Sequence, residues 1–181
     1  MTKQQKNISK LMSLVLRHQP EYIGIMLNEN GWANVQELIE KINAKGIFAD
    51  MQTIETVVEI NDKKRFAFNE DKTMIRASQG HSIEVELDLQ QTKPPDILYH
   101  GTTVDYIESI LKNGLQKQAR QHVHLSKDTE TAIAVGSRHG KPVILQVDAK
   151  AMHEQEFLFF ISANLVWLTD EVPVKFLSLY Q

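Results

Sequence analysis

The arginine and histidine residues of this chain indicate the chemistry that it could carry. Arginine is scarce, with five residues against fifteen lysines, and three of the five have a histidine within two positions. A guanidinium group offers a planar fork for phosphate, and an imidazole can transfer a proton near neutral pH. These pairs predict a phosphate site with proton transfer, although each cation alone is equally typical of a solvated surface.

Arg17 and His18 form the first pair. They follow apolar residues at helical spacing, which predicts an amphipathic helix that begins near Asn7 or Ser9 and ends before Pro20. Both side chains are therefore expected in the last turn of this helix. Cations at that place complement the helix dipole, so the segment alone favours a structural role over an anion site.

His122 and His124 are two positions apart in a predicted strand, so both side chains should point to one face. That spacing could hold a metal ion. However, the chain has no cysteine and no carboxylate at a matching position. We therefore expect no metal at this strand.

His100, Gly101 and Thr102 lie where a predicted strand leads into a predicted helix. A glycine there permits close backbone approach to a ligand, and the following helix N-terminus presents free N–H groups to an anion. The pattern is weak alone, because many strand–helix turns carry glycine for steric reasons.

Two blocks of secondary structure must position these residues. Helical patterns and then a hairpin predict a winged-helix lobe over residues 1–89, and polar residues with two prolines predict a linker over residues 90–95. Residues 96–181 contain short apolar runs that predict about five or six strands. The predicted class is therefore α+β, with a helical lobe followed by a β-rich lobe.

The composition limits the classes of function. Of the 181 residues, 42% are hydrophobic, which is ample for a packed core, and the net charge is −3. This charge argues against a broad basic face for nucleic acid and favours local contacts through a few cations. The lack of cysteine excludes a disulfide framework and a thiolate nucleophile. With no apolar signal region or spanning run, we expect a cytoplasmic monomer without membrane association.

Seven motifs together resemble the RNA 2′-phosphotransferase (tRNA 2′-phosphotransferase) family over nearly the whole chain. No single motif is decisive, but their order and spacing make the set highly specific. The motifs lie at residues 8–20, 30–32, 64–66, 75–82, 99–102, 122–126 and 166–169.

The resemblance implies a winged-helix lobe and a C-terminal ADP-ribosyltransferase-like lobe that binds NAD as co-substrate. The implied partner is RNA with an internal 2′-phosphate, with tRNA as one candidate. A phosphate oxygen first attacks the ribose carbon that bears nicotinamide, and nicotinamide leaves. The ADP-ribose 2″-hydroxyl then attacks the phosphorus, which releases 2′-hydroxyl RNA and ADP-ribose 1″,2″-cyclic phosphate.

The resemblance also implies roles for single residues. The residues that match the phosphate-handling positions of the family are Arg17, His18, Arg65 and Arg120. The residues that match its NAD-binding motifs are His100, Gly101, Thr102, His124 and Ser126. Arg120 is preferred to Arg138 because it lies just before the motif at residues 122–126.

Two other functions compete with this interpretation. An ADP-ribosyltransferase acting on another target should carry a catalytic glutamate near Val166, and the chain has none there. The family pattern has a glycine before this valine, where the chain departs with Leu165. A winged-helix nucleic-acid-binding regulator should present cations on its recognition helix, but the candidate helix at residues 51–60 carries Glu55 and Glu59 and no cation.

Overall fold

The computed structural model describes residues 1–138 and 140–180, and the chain divides into two compact units, Met1–Asp88 and Leu89–Gln181. Both units combine helices with antiparallel strands, which agrees with the predicted α+β class. Within the described ranges, no helix is both long enough and apolar enough to cross a membrane.

The first unit contains three α-helices, a short 3₁₀ helix at Pro20–Tyr22 and a small sheet. Its elements in chain order are α1 (Lys3–Val15), β1 (Ala33–Asn34), α2 (Val35–Ala44), α3 (Met51–Glu59), β2 (Phe66–Phe68) and β3 (Met74–Ala77). Strand β3 lies between β1 and β2 and pairs antiparallel with both. The predicted hairpin is therefore confirmed, with Ala67 opposite Arg76.

The helices of this unit begin at side-chain caps and bury one face each. Thr2 and Gln5 form a capping box at α1, and the side chains of Asn34 and Asp50 accept hydrogen bonds at the starts of α2 and α3. Burying each large apolar side chain favours folding by about 1.5–3 kcal/mol. The core includes Ile8, Met12, Val15, Leu38, Ile42, Ile54, Val57, Phe66 and Ile75.

The ends of α1 differ from the prediction. The helix begins upstream of the predicted start, because Thr2 provides the cap. It ends at Val15, so the placement of Arg17 and His18 in its last turn was wrong, and both lie in the turn that follows. Apolar periodicity identifies the buried face of a helix, whereas capping hydrogen bonds decide its ends.

The second unit is richer in strands. Its described elements are β4 (Ile97–Thr103), α4 (Val104–Asn113), β5 (Leu115–Gln116), β6 (Val123–Leu125), α5 (Thr129–Gly136), β7 (Pro142–Asp148), α6 (Ala149–Glu154), β8 (Phe160–Ile161), β9 (Trp167–Thr169), β10 (Glu171–Val172) and β11 (Leu177–Leu179). The prediction missed β5 and β10, since two residues are too few to show alternation. It also missed α6, which Asp148 caps.

Antiparallel pairing organises these strands into three small sheets. Strand β7 lies between β4 and β11, β9 lies between β6 and β8, and β5 pairs with β10. A bridge between Tyr99 and Ser126 joins the first two sheets through backbone hydrogen bonds of 2.7 and 2.8 Å. This bridge sets β4 beside the residue that follows β6.

The predicted linker at residues 90–95 is partly bonded within the second unit. The N–H of Thr92 donates to the carbonyl oxygen of Phe159 at 2.8 Å, and Gln91 forms a bridge with Phe160. The linker, like the predicted domain limits, stays a prediction.

Candidate functional site

The turn after α1 carries Arg17 and His18. The carbonyl oxygen of Arg17 accepts hydrogen bonds from the N–H groups of Ser82 and Ile83 at 3.0 and 3.4 Å. The hydroxyl of Ser82 lies 2.9 Å from Nδ1 of His18. A segment distant in sequence therefore fixes the positions of both residues.

Arg65 lies directly before β2 and next to this turn. Nη2 of Arg17 donates to the carbonyl oxygen of Arg65 at 3.4 Å. The Nη1 and the backbone N–H of Arg65 lie 3.3 and 3.4 Å from Oδ1 of Asn61, whose side chain is buried. The structure thus brings Arg17, His18 and Arg65 together within the first unit.

Sequence analysis did not identify the residues that hold Arg65. Besides Asn61, Ser78 donates its N–H to the carbonyl oxygen of Arg65 at 2.8 Å and its hydroxyl to that of Lys64 at 2.9 Å. Lys64 has φ of 44°, in the left-handed region, so the turn before Arg65 is unusual for a non-glycine residue. The only local signal was Asn61 itself, because asparagine is favoured in turns.

His81 is a buried histidine beside the same turn. It is 1% exposed, and neither ring nitrogen makes a hydrogen bond of ordinary geometry with a described residue. Burial, followed by the positive charges of Arg17, His18 and Arg76, lowers the pKa of His81 from 6.5 to about 4, and the Leu16 carbonyl opposes this weakly. The ring is therefore neutral at pH 7 and adds no charge to the surrounding cations.

His100 lies in β4, in the second unit. Its Nδ1 is 3.0 Å from the carbonyl oxygen of His124. Because a carbonyl oxygen only accepts, Nδ1 carries the proton and Nε2 is an acceptor in the neutral ring. Burial lowers the pKa of His100, the bond to His124 opposes this, and the Arg120 cation adds to the lowering. His100 can therefore accept a hydrogen bond from a hydroxyl group at neutral pH.

Arg120 is exposed and contacts His124, the middle residue of β6. Its Nη1 lies 3.2 Å from Nδ1 of His124. A guanidinium always donates, so this nitrogen accepts and the ring carries its proton on Nε2. Arg138, also exposed, makes no hydrogen bond to a predicted site residue in the described part of the chain. The structure therefore links Arg120, His124 and His100 in one chain of contacts.

The remaining predicted residues are less accessible, or serve packing. A Cβ added at Gly101 would lie 1.8 Å from the carbonyl oxygen of Ala132, so this glycine is required by the close approach of α5. The structure therefore gives a packing reason for this glycine, and its expected contact with a ligand stays a prediction. Thr102 is buried, at 8% exposed, and Ser126 is held in the bridge to Tyr99.

Other clusters in the described residues do not suggest a different site. No group of three or more His, Cys, Asp or Glu side chains could hold a metal ion in residues 1–138 and 140–180. The ring of His122 contacts Phe160, with centroids 5.9 Å apart. Two surface depressions contain none of the predicted site residues. They are lined by Lys93, Pro94, Asp96, Lys150, His153 and Glu154, and by Lys3, Gln4, Asn7, Gly46, Ile47 and Phe48.

Comparison with known proteins gives consistent matches along the chain. The model of the family described as RNA 2′-phosphotransferase, Tpt1 / KptA family, matches residues 3–171. A "Probable RNA 2′-phosphotransferase" from Flavobacterium johnsoniae is 62% identical over 173 residues, which cover 96% of this chain and 95% of the relative. Proteins of the same name from Fusobacterium nucleatum and Hahella chejuensis are 54% and 52% identical, covering 94% and 99% of this chain and 96% of each relative.

Proposed function

This chain belongs to the RNA 2′-phosphotransferase, Tpt1 / KptA family, and we propose that it transfers an internal RNA 2′-phosphate to NAD. The chain is an enzyme, an RNA 2′-phosphotransferase. The proposal adds the acceptor, the products nicotinamide and ADP-ribose 1″,2″-cyclic phosphate, and the residues that act. The grouping of Arg17, His18 and Arg65 around one turn is the observation that carries it.

The first step needs orientation more than acid–base catalysis. The 2′-phosphate is already an anion and nicotinamide leaves as a neutral ring, so alignment of the two reacting groups supplies most of the rate. We assign NAD binding to His100, Gly101, Thr102, His124 and Ser126. The neutral ring of His100 supports this, because its Nε2 can accept a hydrogen bond from a ribose hydroxyl group without repelling the cationic nicotinamide ring.

The second step builds negative charge on the transferring phosphoryl group and on the leaving oxygen. Fixed guanidinium groups stabilise such charge, so we assign this role to Arg17, Arg65 and Arg120. His18 is assigned the transfer of the proton from the ADP-ribose 2″-hydroxyl to the leaving RNA 2′-oxygen. No carboxylate lies within 4 Å of the Arg65 guanidinium in the described part of the first unit, which supports its availability to phosphate.

We also propose the two fold types. A winged-helix RNA-binding lobe is proposed for residues 1–89, supported by the order of α1, α2, α3 and the β2–β3 hairpin. An ADP-ribosyltransferase-like NAD-binding lobe is proposed for residues 96–181, supported by the antiparallel sheets that meet at the Tyr99–Ser126 bridge.

The proposal is tested by incubating the protein with an oligoribonucleotide that carries one internal 2′-phosphate, with and without NAD. We expect 2′-hydroxyl RNA, nicotinamide and the cyclic phosphate in equal amounts, only with NAD, and also in the presence of a chelator. Release of inorganic phosphate without NAD would identify a phosphatase instead. ADP-ribose attached stably to a protein or other target would favour the alternative transferase activity.

A further inference from the structure

Arg76 is an arginine of the first unit that the proposed reaction does not use. We propose that Arg76 binds the RNA 3′,5′-phosphodiester that shares a ribose with the 2′-phosphate, and so selects internal over 3′-terminal 2′-phosphates. This inference rests on the proposed function, since it assigns a second anion contact to the same RNA.

The guanidinium group of Arg76 is held in place by an aromatic ring and a carbonyl. Its central carbon lies 4.5 Å from the centroid of the Trp32 ring, and its Nη1 donates to the carbonyl oxygen of Asn30 at 3.4 Å. No described carboxylate of the first unit lies within 4 Å of it. Four of its five N–H groups are not used by these contacts, and a stacked, half-buried fork loses little freedom on binding an anion.

A short chain of contacts connects Arg76 to the turn that carries Arg17. A Cβ added at Gly31, between Asn30 and Trp32, would lie 3.6 Å from Nε2 of His81. The next residue, Ser82, donates its N–H to the backbone carbonyl oxygen of Arg17 at 3.0 Å. The buried ring of His81 thus lies between the segment that holds Arg76 and the segment that holds Arg17.

His81 also shows that Arg17 and Arg76 are close enough for their charges to act on the same side chain. The positive charges of both Arg17 and Arg76 reach this ring and contribute to its lowered pKa. Because the ring is neutral, it adds no further charge beside the two guanidinium groups. The first unit therefore offers two arginine side chains whose charges both act on His81.

The substrate presents two neighbouring anions. A 2′-phosphate inside an RNA strand always has a 3′-phosphodiester on the adjacent ribose oxygen, and this is the nearest second phosphate. A 3′-terminal nucleotide with a free 3′-hydroxyl lacks it. Since Arg17 is assigned to the 2′-phosphate, the neighbouring fork of Arg76 fits the phosphodiester, which no residue assigned above would contact.

The test compares two oligoribonucleotides as competitors of the standard substrate. One carries an internal 2′-phosphate, and the other carries a 2′-phosphate on its 3′-terminal nucleotide, next to a free 3′-hydroxyl. For Arg76→Gln we expect the affinity of the internal competitor to fall roughly tenfold or more, as for loss of a charge-assisted fork. The affinity of the terminal competitor should fall less than about threefold.

Salt dependence supplies a second measurement that a structural role of Arg76 would not change. Loss of one phosphate contact should reduce the slope of log affinity against log salt by about 0.7 for the single-stranded internal competitor. Arg76→Lys should keep most of this slope but lose part of the affinity. Trp32→Leu should lower the affinity of the internal competitor in part, because the Arg76 guanidinium loses the ring on which it stacks.

Lys72→Gln is the matched control. Lys72 lies on the same hairpin, is exposed, and forms a 2.6 Å ion pair with Glu55. Its replacement should therefore change the affinity of neither competitor. If Arg76→Gln lowers the affinity of both competitors equally, or changes the affinity of neither, the inference is overturned while the proposed function stays intact. Failure of the wild-type enzyme to bind either competitor would instead refute the proposed RNA site, and this inference with it.

Discussion

The two units hold their proposed site residues by different means. In the first unit, the cations Arg17 and Arg65 are fixed by hydrogen bonds from a distant backbone segment and from the buried Asn61 side chain. In the second unit, the neutral rings of His100 and His124 are fixed by strands that a backbone bridge joins. From this comparison we propose that fixed positive charge serves the phosphate, and that neutral rings serve a cationic nicotinamide nucleotide.

The same comparison predicts how substitutions should affect each unit. The site residues of the second unit depend on close backbone packing, as at Gly101 against α5. Those of the first unit depend on charge and on side-chain hydrogen bonds. Substitutions at closely packed backbone positions such as Gly101 should therefore act through stability, whereas those at charged or titrating side chains should act through binding or protonation. Each unit contains one tryptophan, Trp32 or Trp167, which allows the two to be followed separately.

Gly101→Ala should have the largest effect. The added Cβ would lie 1.8 Å from the Ala132 carbonyl oxygen, and relief requires movement of α5, so we expect a loss of about 4 kcal/mol or more in unfolding free energy. The measurement is urea unfolding of the second unit, followed by Trp167 fluorescence in a Trp32→Phe background.

Gly46→Ala is the matched control for that prediction. Gly46 has φ of 77° but no atom within 4 Å of an added Cβ, so it should cost only about 1 kcal/mol, from backbone strain. Similar losses for the two variants would show that packing at Gly101 does not distinguish the second unit.

Acid should destabilise the first unit through His81. Its pKa is about 4 in the folded state against 6.5 when unfolded, so the unfolded chain binds more protons as the pH falls below 6.5. The unfolding free energy should be at its full value above pH 6.5, and should decrease by about 2 kcal/mol on going from pH 7 to pH 5. Trp32 fluorescence in a Trp167→Phe background measures this.

His81→Leu removes this titrating group and should make the unfolding free energy of the first unit nearly constant between pH 7 and pH 5. The shifts at Asp50 and Asp71 are downward from 3.8, so these carboxylates do not contribute in that window. An unchanged pH dependence in the variant would mean that His81 is not the group responsible.

Substitutions in the two units should affect the binding of different substrates. His124→Ala should weaken NAD about tenfold, which corresponds to about 1.4 kcal/mol, and leave RNA affinity within about twofold. Arg17→Ala should show the reverse pattern. Isothermal titration of each variant with each substrate checks this, and a variant that weakens both substrates equally would remove the distinction between the units.

Leu165→Gly should have the smallest effect. Leu165 has φ of 62°, in the left-handed region, and is 74% exposed, so the change relieves backbone strain and loses little burial. We expect a gain of about 0.5 kcal/mol in unfolding free energy, seen as a small rise in Tm with unchanged activity. A fall in Tm would show that this side chain supports β9 after all.

Local sequence patterns predicted those features of the fold that depend on neighbouring residues. The β2–β3 hairpin was predicted correctly. The expected glycine before Val166 also has a physical basis, because Leu165 occupies a left-handed conformation there.

Contacts between distant residues could not be predicted in this way. Nothing near Arg17 in the sequence indicates that Ser82 binds its carbonyl oxygen, or that Asn61 holds Arg65. The packing role of Gly101 was not predicted for the same reason, since the atom that excludes a side chain belongs to α5. Tertiary packing decides these features, whereas periodicity and turn signals describe only local structure.

The central claim is that Arg17, Arg65, Arg120 and His18 act on the second step, the phosphoryl transfer that follows the reaction of NAD. A time course on a denaturing gel separates the 2′-phosphorylated RNA, the RNA–phospho–ADP-ribose intermediate and the 2′-hydroxyl product. Arg65→Ala, Arg120→Ala and His18→Ala should each slow the second step about a hundredfold, or about 3 kcal/mol, so the intermediate accumulates. Arg17→Ala should slow both steps. Wild-type turnover in all four variants, with no intermediate, would contradict the claim.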